Sequence, residues 1–265
     1  MHTDKLTLGI MQIDIIDSDV DRQLDSITNT VKSIDAQCDL IVLPETFATG
    51  FVGNPLSVSE EDNGRIFTWM KNLSQHTGSS ISGSIFTKEG SAVYNSFFLV
   101  NSDGSYRRYD KHHLFRMSRE GQLLAPGTKR ITINLNGWRI RPIVCYDLRF
   151  PVWCRNIVGD EAAEYDILIC SACWPSSRQS AWDTLLRARA IENQSYVCGI
   201  NRVGCGDTGV LYTGGSVIYA PDGKQIFFAG DSASGTIHTI TREPLRTVRE
   251  NFPAYLDADR FIFTD

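Results

Sequence analysis

The sequence predicts a layered α/β fold in one domain spanning 1–265, and three observations support it. Short apolar runs that read as buried strands alternate with longer segments of helical periodicity in both halves of the chain. No low-complexity linker and no step in composition divides the chain. A hydrophobic content of 42% over 265 residues is enough for one large core.

Leu6 to Ile15 alternates loosely between apolar and polar residues and reads as a first strand. Asp17, Ser18 and Asp19 supply capping groups. Val20, Leu24, Ile27, Val31 and Ile34 then recur at helical spacing, predicting an amphipathic helix that ends near Gln37. The continuous apolar run from Leu40 to Leu43 suits a strand covered on both faces. Ile66 to His76 predicts a second helix, and Ser80 to Phe86 and Ala92 to Val100 two further strands. Asn101 to Gly104 is a turn signal, after which a strand returns through Tyr106 to Tyr109. Asn136-Gly137, flanked by Ile131 to Leu135 and Arg139 to Val144, is the strongest hairpin signal in the chain. A helix is expected over Val152 to Glu164, with Pro151 opening it and its N-terminal end aimed at Cys145. Asp166 to Cys173 follows as a buried strand. Gln179 to Asn193 is a helix with Trp182, Leu185, Leu186, Ala190 and Asn193 on one stripe. Tyr196 to Asn201 is a strand, and Ser216 to Tyr219 pairs with Lys224 to Phe228 about Ala220-Pro-Asp-Gly223. From Gly235 the tail adds one strand, then a polar segment through Pro253 available to pack on a neighbour.

A net charge of −5, a pI near 5.6 and the lack of any Lys/Arg run exclude a nucleic-acid footprint. No apolar stretch has the length of a bilayer span, and the N-terminus has no basic region followed by a long apolar block, so neither membrane association nor a signal peptide is expected. Seven cysteines without tight spacing fit free thiols in a reducing, cytoplasmic setting.

Glu45, Lys111 and Cys145 each stand just after an apolar strand. Hydrolysis of an unactivated amide needs a nucleophile, a proton carrier, and positive charge where the carbonyl oxygen becomes negative. Cysteine supplies the first. A carboxylate held in a low-dielectric site becomes a base useful near neutral pH. An ammonium beside them stabilises thiolate and oxyanion alike, and the positive end of a following helix favours the thiolate further. Taken singly, each also fits an ordinary role: Cys145 a small buried hydrophobe, Glu45 a solvated loop acid, Lys111 a surface charge.

Leu-Pro-Glu45-Thr-Phe, Tyr109-Asp-Lys111-His-His-Leu-Phe115 and Val-Cys145-Tyr-Asp-Leu-Arg-Phe-Pro151 resemble the three signature blocks of the nitrilase superfamily of carbon–nitrogen hydrolases, in order and over nearly the whole chain. Weaker support comes from Arg187 to Asn193, Asn201-Arg-Val and Gly215 to Gly223. The resemblance implies a four-layer α-β-β-α sandwich, a Glu45–Lys111–Cys145 triad, Glu120 as a supporting second glutamate, and a homodimer, for which the helix over 179–193 is one candidate surface. It implies no metal and no cofactor. Cys145-Tyr146-Asp147 is similar to the amidase branches rather than to nitrilases, and together with Asn-Phe-Pro253 and Asp257 to Phe261 it most resembles the omega-amidases. Those enzymes remove the terminal amide of 2-oxoglutaramate or 2-oxosuccinamate through a thioester. Deaminated glutathione is the rival substrate, and the same superfamily also includes carbamoylase and nitrilase chemistry. The family often has Asn before the Trp-Pro pair; here that position is Cys173, which puts the pocket geometry in question.

The implied small-molecule amide is bound by Tyr146, whose N–H joins Lys111 on the oxyanion, and by walls at Phe115 and Trp174. An omega-amide carries its own carboxylate, so a cation is expected at its far end; Arg116, Arg149 and Arg178 are candidates by their nearness to the signature blocks. Three other readings rank lower. Cys170-x-x-Cys173 lacks a second ligand pair for zinc. His112-His113 lacks an orienting partner motif for a Cys–His protease. A non-catalytic scaffold would have no use for all three reactive residues.

Overall fold

The computed structural model describes residues 3–16, 19–34, 37–51, 53–61, 63–159, 163–206, 209–259 and 261–263. Asp17, Ser18 and Arg260 lie outside these. The first sheet is assembled from β1 (Lys5–Gln12), β2 (Leu40–Val42), β3 (Ser80–Glu89), β4 (Ala92–Val100), β5 (Tyr106–Asp110) and, from the far end of the chain, β14 (Ser234–Thr241), in the order β14-β1-β2-β3-β4-β5. The second contains β6 (Ile133–Leu135), β7 (Trp138–Val144), β8 (Ile167–Ala172), β9 (Tyr196–Asn201), β12 (Val217–Tyr219) and β13 (Gln225–Phe228), in the order β13-β12-β9-β8-β7-β6. Both halves repeat one plan: β1, β2 and β3 run parallel, as do β7, β8 and β9, with antiparallel strands outside them.

The period-two side-chain pattern separates the two faces of each strand. Leu40 and Val42 face the second sheet, in a core shared with Leu6, Leu8, Phe97, Ile143 and Ile169. Ile41 faces the other way, into a core with Leu24, Ile27, Val31, Phe67 and Met70. That outer core is covered by α1 (Val20–Ser33), capped by the Asp19 side chain on the Arg22 N–H at 3.0 Å, and by α2 (Arg65–Thr77). On the opposite side α5 (Gln179–Asn193) buries Trp182, Leu186 and Ala190 against the second sheet, so its apolar stripe belongs to the core. Gly199 in β9 permits this close approach, since a Cβ there would lie 2.5 Å from Leu186 Cδ1. The result is an α-β-β-α sandwich.

One expectation needs correction. The segment from Val152 to Glu164 is not one helix: after a 3-10 turn at Cys145–Arg149, α4 (Pro151–Cys154) is a single turn. Asn156 ends it by using its side chain as a strand partner, donating to the Tyr165 carbonyl at 2.9 Å and accepting its N–H at 3.0 Å. Residues 160–162 lie outside the described chain. The polar tail forms α6 (Arg242–Asn251), which buries Leu245 and docks through Arg249, bonded to the carbonyls of Gln194 and Tyr165. Sequence periodicity also missed the ribbon of β10 (Val203–Cys205) and β11 (Leu211–Thr213). Among the described residues no helix is long and apolar enough to cross a membrane.

Candidate active site

At one end of the sandwich, strand ends from both sheets close on a cavity of about 310 Å³. The chain leaves β2 still bonded to β3, through Leu43 N–H to Ser82 O at 2.7 Å, then turns sharply at Thr46. Thr46 has φ 43°, a left-handed conformation that is costly for a β-branched residue, and its N–H is held by Ser84 Oγ at 2.9 Å. The turn leaves Glu45 fully buried at the floor of the cavity. Lys111 follows β5, with its N–H on Asn95 O and its carbonyl on the Gly127 N–H, both at 2.9 Å. Only glycine fits at 127, where a Cβ would stand 2.1 Å from Asp110 O.

Cys145 begins the turn after β7, also with a positive φ, 44°. Asp147 fixes that turn. Its Oδ2 accepts from Val144 N–H at 3.1 Å and Tyr109 OH at 2.7 Å, and its Oδ1 from His113 N–H at 2.8 Å. His113 stacks on Phe150 and its Nδ1 lies 2.9 Å from Asp147 Oδ1; His112 stacks on Trp153. The histidine pair thus braces the turn from behind and stands outside the cavity wall.

The structure brings Glu45, Lys111, Cys145 and Glu120, which opens the one-turn α3 (Glu120–Leu123), to one floor. Lys111 Nζ donates to Glu45 Oε1 at 2.9 Å and to Glu120 Oε1 at 2.7 Å, and Glu120 also accepts the Phe115 N–H. Burial alone would lower the ammonium, but Glu120, Glu45 and Cys145 outweigh it and hold Lys111 well above its usual range. Burial pushes the Glu120 carboxyl up against the pull of Lys111. Burial and then the Glu45 charge push the Cys145 thiol well above its usual value, with Lys111 drawing it back only in part. The expected thiolate-stabilising helix end is therefore not what governs this sulfur: α4 is one turn long, and burial with the Glu45 charge favours the thiol.

Tyr146, Phe115 and Trp174 stand on the cavity wall, as do Arg119, Arg149 and Arg178. Arg149 lies over the Trp174 ring at 4.8 Å and Arg178 over Phe115 at 5.1 Å. Among the described residues neither has a carboxylate partner; the acids of the wall, Glu45 and Glu120, are both taken by Lys111. Arg116 is corrected: Ser118 N–H closes a turn on Phe115 O at 3.1 Å, leaving residue 116 exposed and off the wall.

Sequence reasoning missed Asn95, whose Nδ2 donates to Glu45 Oε1 at 2.8 Å, and the part played by Cys173. The Cys173 N–H donates to Glu45 Oε2 at 2.9 Å and its thiol to the Glu45 carbonyl at 3.1 Å. Among the described residues no group of three or more His, Cys, Asp or Glu is placed to hold a metal ion.

Carbon-nitrogen hydrolase sequences match this chain over residues 7–250. It is 41% identical over 263 residues to omega-amidase YafV of Yersinia enterocolitica, covering 99% of each chain. It is 29% identical over 262 residues to the 2-oxoglutaramate amidase of Bacillus subtilis, covering 98% of this chain and 100% of that one. A CN-hydrolase superfamily protein of Xanthomonas campestris, solved with an arsenic adduct in its active site, superposes over 100% of both chains with a TM-score of 0.96 at 35% identity.

Proposed function

Since this chain belongs to the carbon–nitrogen hydrolase family and is a hydrolase of linear amides, we propose that it removes the terminal amide of a small omega-amido acid of the 2-oxoglutaramate or 2-oxosuccinamate type. The observation that carries this reading is the pairing of a floor made by Glu45, Lys111 and Cys145 with a wall bearing Arg149 and Arg178, two half-buried guanidiniums without carboxylate partners among the described residues. Stacked on Trp174 and Phe115, they are oriented in advance for the carboxylate of such a substrate.

Burial and the Glu45 charge favour the thiol over the thiolate, so the Cys145 proton leaves as the sulfur attacks. Glu45 takes that proton, and the sulfur bonds the amide carbon. Lys111 and the Tyr146 N–H hold the oxyanion, an arrangement in which dry, fixed donors act most strongly. Glu45 then protonates the departing ammonia, leaving a thioester on Cys145, and activates the water that releases the acid. Glu120 keeps Lys111 charged and in place at 2.7 Å.

Ammonia or amine release compared across 2-oxoglutaramate, deaminated glutathione, a simple nitrile, an N-carbamoyl amino acid and neutral butyramide tests the assignment. 2-Oxoglutaramate should lead. Arg178→Leu and Arg149→Leu should each raise its KM by about tenfold, the scale of one charge-assisted contact, and leave butyramide unaffected. Equal turnover of the neutral and the acidic amide would refute it.

A further inference from the structure

The two carboxylate oxygens of Glu45 have different surroundings. Oε1 accepts from Lys111 Nζ at 2.9 Å and from Asn95 Nδ2 at 2.8 Å. A carboxylate oxygen offers about two lone-pair directions, so Oε1 is filled. Oε2 accepts from the Cys173 N–H at 2.9 Å and keeps a direction open. Glu45 and Cys145 face the same cavity. Asn95 is fully buried in β4, and its carbonyl also accepts the Lys111 N–H at 2.9 Å, so one residue fixes the lysine backbone and the carboxylate together. Its Oδ1 is buried with no hydrogen-bond partner among the described residues. Such an orphan acceptor destabilises a core and calls for a reason. The reason lies in the other half of the amide: turned round, Oδ1 would face an ionised carboxylate, so the charge of Glu45 fixes which way Asn95 points.

We propose that Asn95 is a positioning residue that, with Lys111, occupies Oε1 of Glu45 and confines the proton transfers of the cycle to Oε2. This rests on the reading of Glu45 as proton carrier. The Cys145 proton passes to Oε2 while the S–H electron pair forms the bond to the carbonyl carbon. The proton on Oε2 goes to nitrogen as the C–N bond breaks. In deacylation water gives a proton to Oε2 and its oxygen bonds the thioester carbon; that proton returns to the leaving sulfur.

Asn95→Leu keeps the size and removes both the donor and the orphan acceptor. It should lower kcat/KM by about 30- to 100-fold through misdirected proton transfer, with KM within about twofold and thermal stability retained. The loss should fall on kcat, because the donor orients the acid and not the substrate. The groups facing the carboxylate, namely Lys111, Glu120, Cys145, Cys170, Cys173 and Tyr212, stay unchanged in this variant. Asn95→Ser, which restores a weaker donor, should recover part of the lost kcat, and it decides the matter if the leucine variant does not fold. A kcat/KM within about threefold of the parent in the folded variants, or a loss that falls on KM, overturns the assignment. Glu45→Gln separates the two readings. If it stays active, Glu45 is not the proton carrier; if it is inactive while the Asn95 variants keep the kcat of the parent, only the role of Asn95 fails.

Discussion

Lys111 brings one positive charge to two buried carboxylates, Glu45 at 2.9 Å and Glu120 at 2.7 Å, with all three side chains almost wholly out of solvent. Removing the cation leaves both acids unpaired, and breaking a buried charge network in this way costs about 3–5 kcal/mol. Lys111→Met should therefore lose both turnover and stability. The pH dependence has a definite sign. Glu120 already has a raised carboxyl in the intact protein, and losing Lys111 raises it further. A group whose folded value is raised contributes stability that is complete below its unfolded value and is lost as pH rises through the folded one. The stability gap between Lys111→Met and the parent should thus narrow as pH falls from 8 toward the ordinary carboxyl range, about 4. Thermal unfolding measured at several pH values checks this; a gap independent of pH would mean that Glu120 does not depend on the lysine.

At the scale of elements, the turn after β7 depends on Asp147, which holds Val144, Tyr109 and His113 at once. Asp147→Ala leaves these donors unsatisfied in a fully buried place and should cost about 2–4 kcal/mol, with a larger loss in kcat than in KM because Cys145 loses its support. Unfolding free energy and steady-state kinetics on the same preparation measure both, and normal kcat would show that the positive-φ turn holds without the acid. Elements fixed by local chemistry were legible in the sequence. Asn136 and Gly137 have φ of 52° and 86°, the mirror-image hairpin turn their identities demand, and the Leu40 run is covered on both faces. What was not legible depends on distant partners. Asn95 meets Glu45 across 50 positions, and Asn156 breaks the expected helix by bonding Tyr165. The docking of α6 rests on arginine contacts with no apolar period to reveal them. The three reactive residues were visible as strand ends, whereas Arg116 was chosen by nearness in sequence, and the turn at Phe115–Ser118 carries it away from the cavity.

Across the whole molecule, the site exists only while two separately built sheets face each other in register. Glu45 and Lys111 end strands of the first sheet, and Cys145 and Cys173 follow strands of the second. A buried hydrogen bond joins them close to that end: Ser171 Oγ in β8 donates to the Leu43 carbonyl, two residues before Glu45, at 2.9 Å. The apolar core between the sheets supplies most of the attraction but little direction, since hydrophobic burial does not specify how far one sheet slides along the other. The hydrogen bond does specify it. Ser171→Ala removes the donor and leaves a buried carbonyl short of a partner, a loss of about 1–3 kcal/mol. A shift of a fraction of an ångström between the carboxylate and the sulfur should lower kcat/KM by about tenfold with little change in KM. If stability falls as expected while the kinetics remain those of the parent, the relative position of the sheets is set by core packing and by the other bonds between them, such as Cys173 N–H to Glu45 and Tyr109 OH to Asp147, and Ser171 contributes to stability without placing the acid against the thiol.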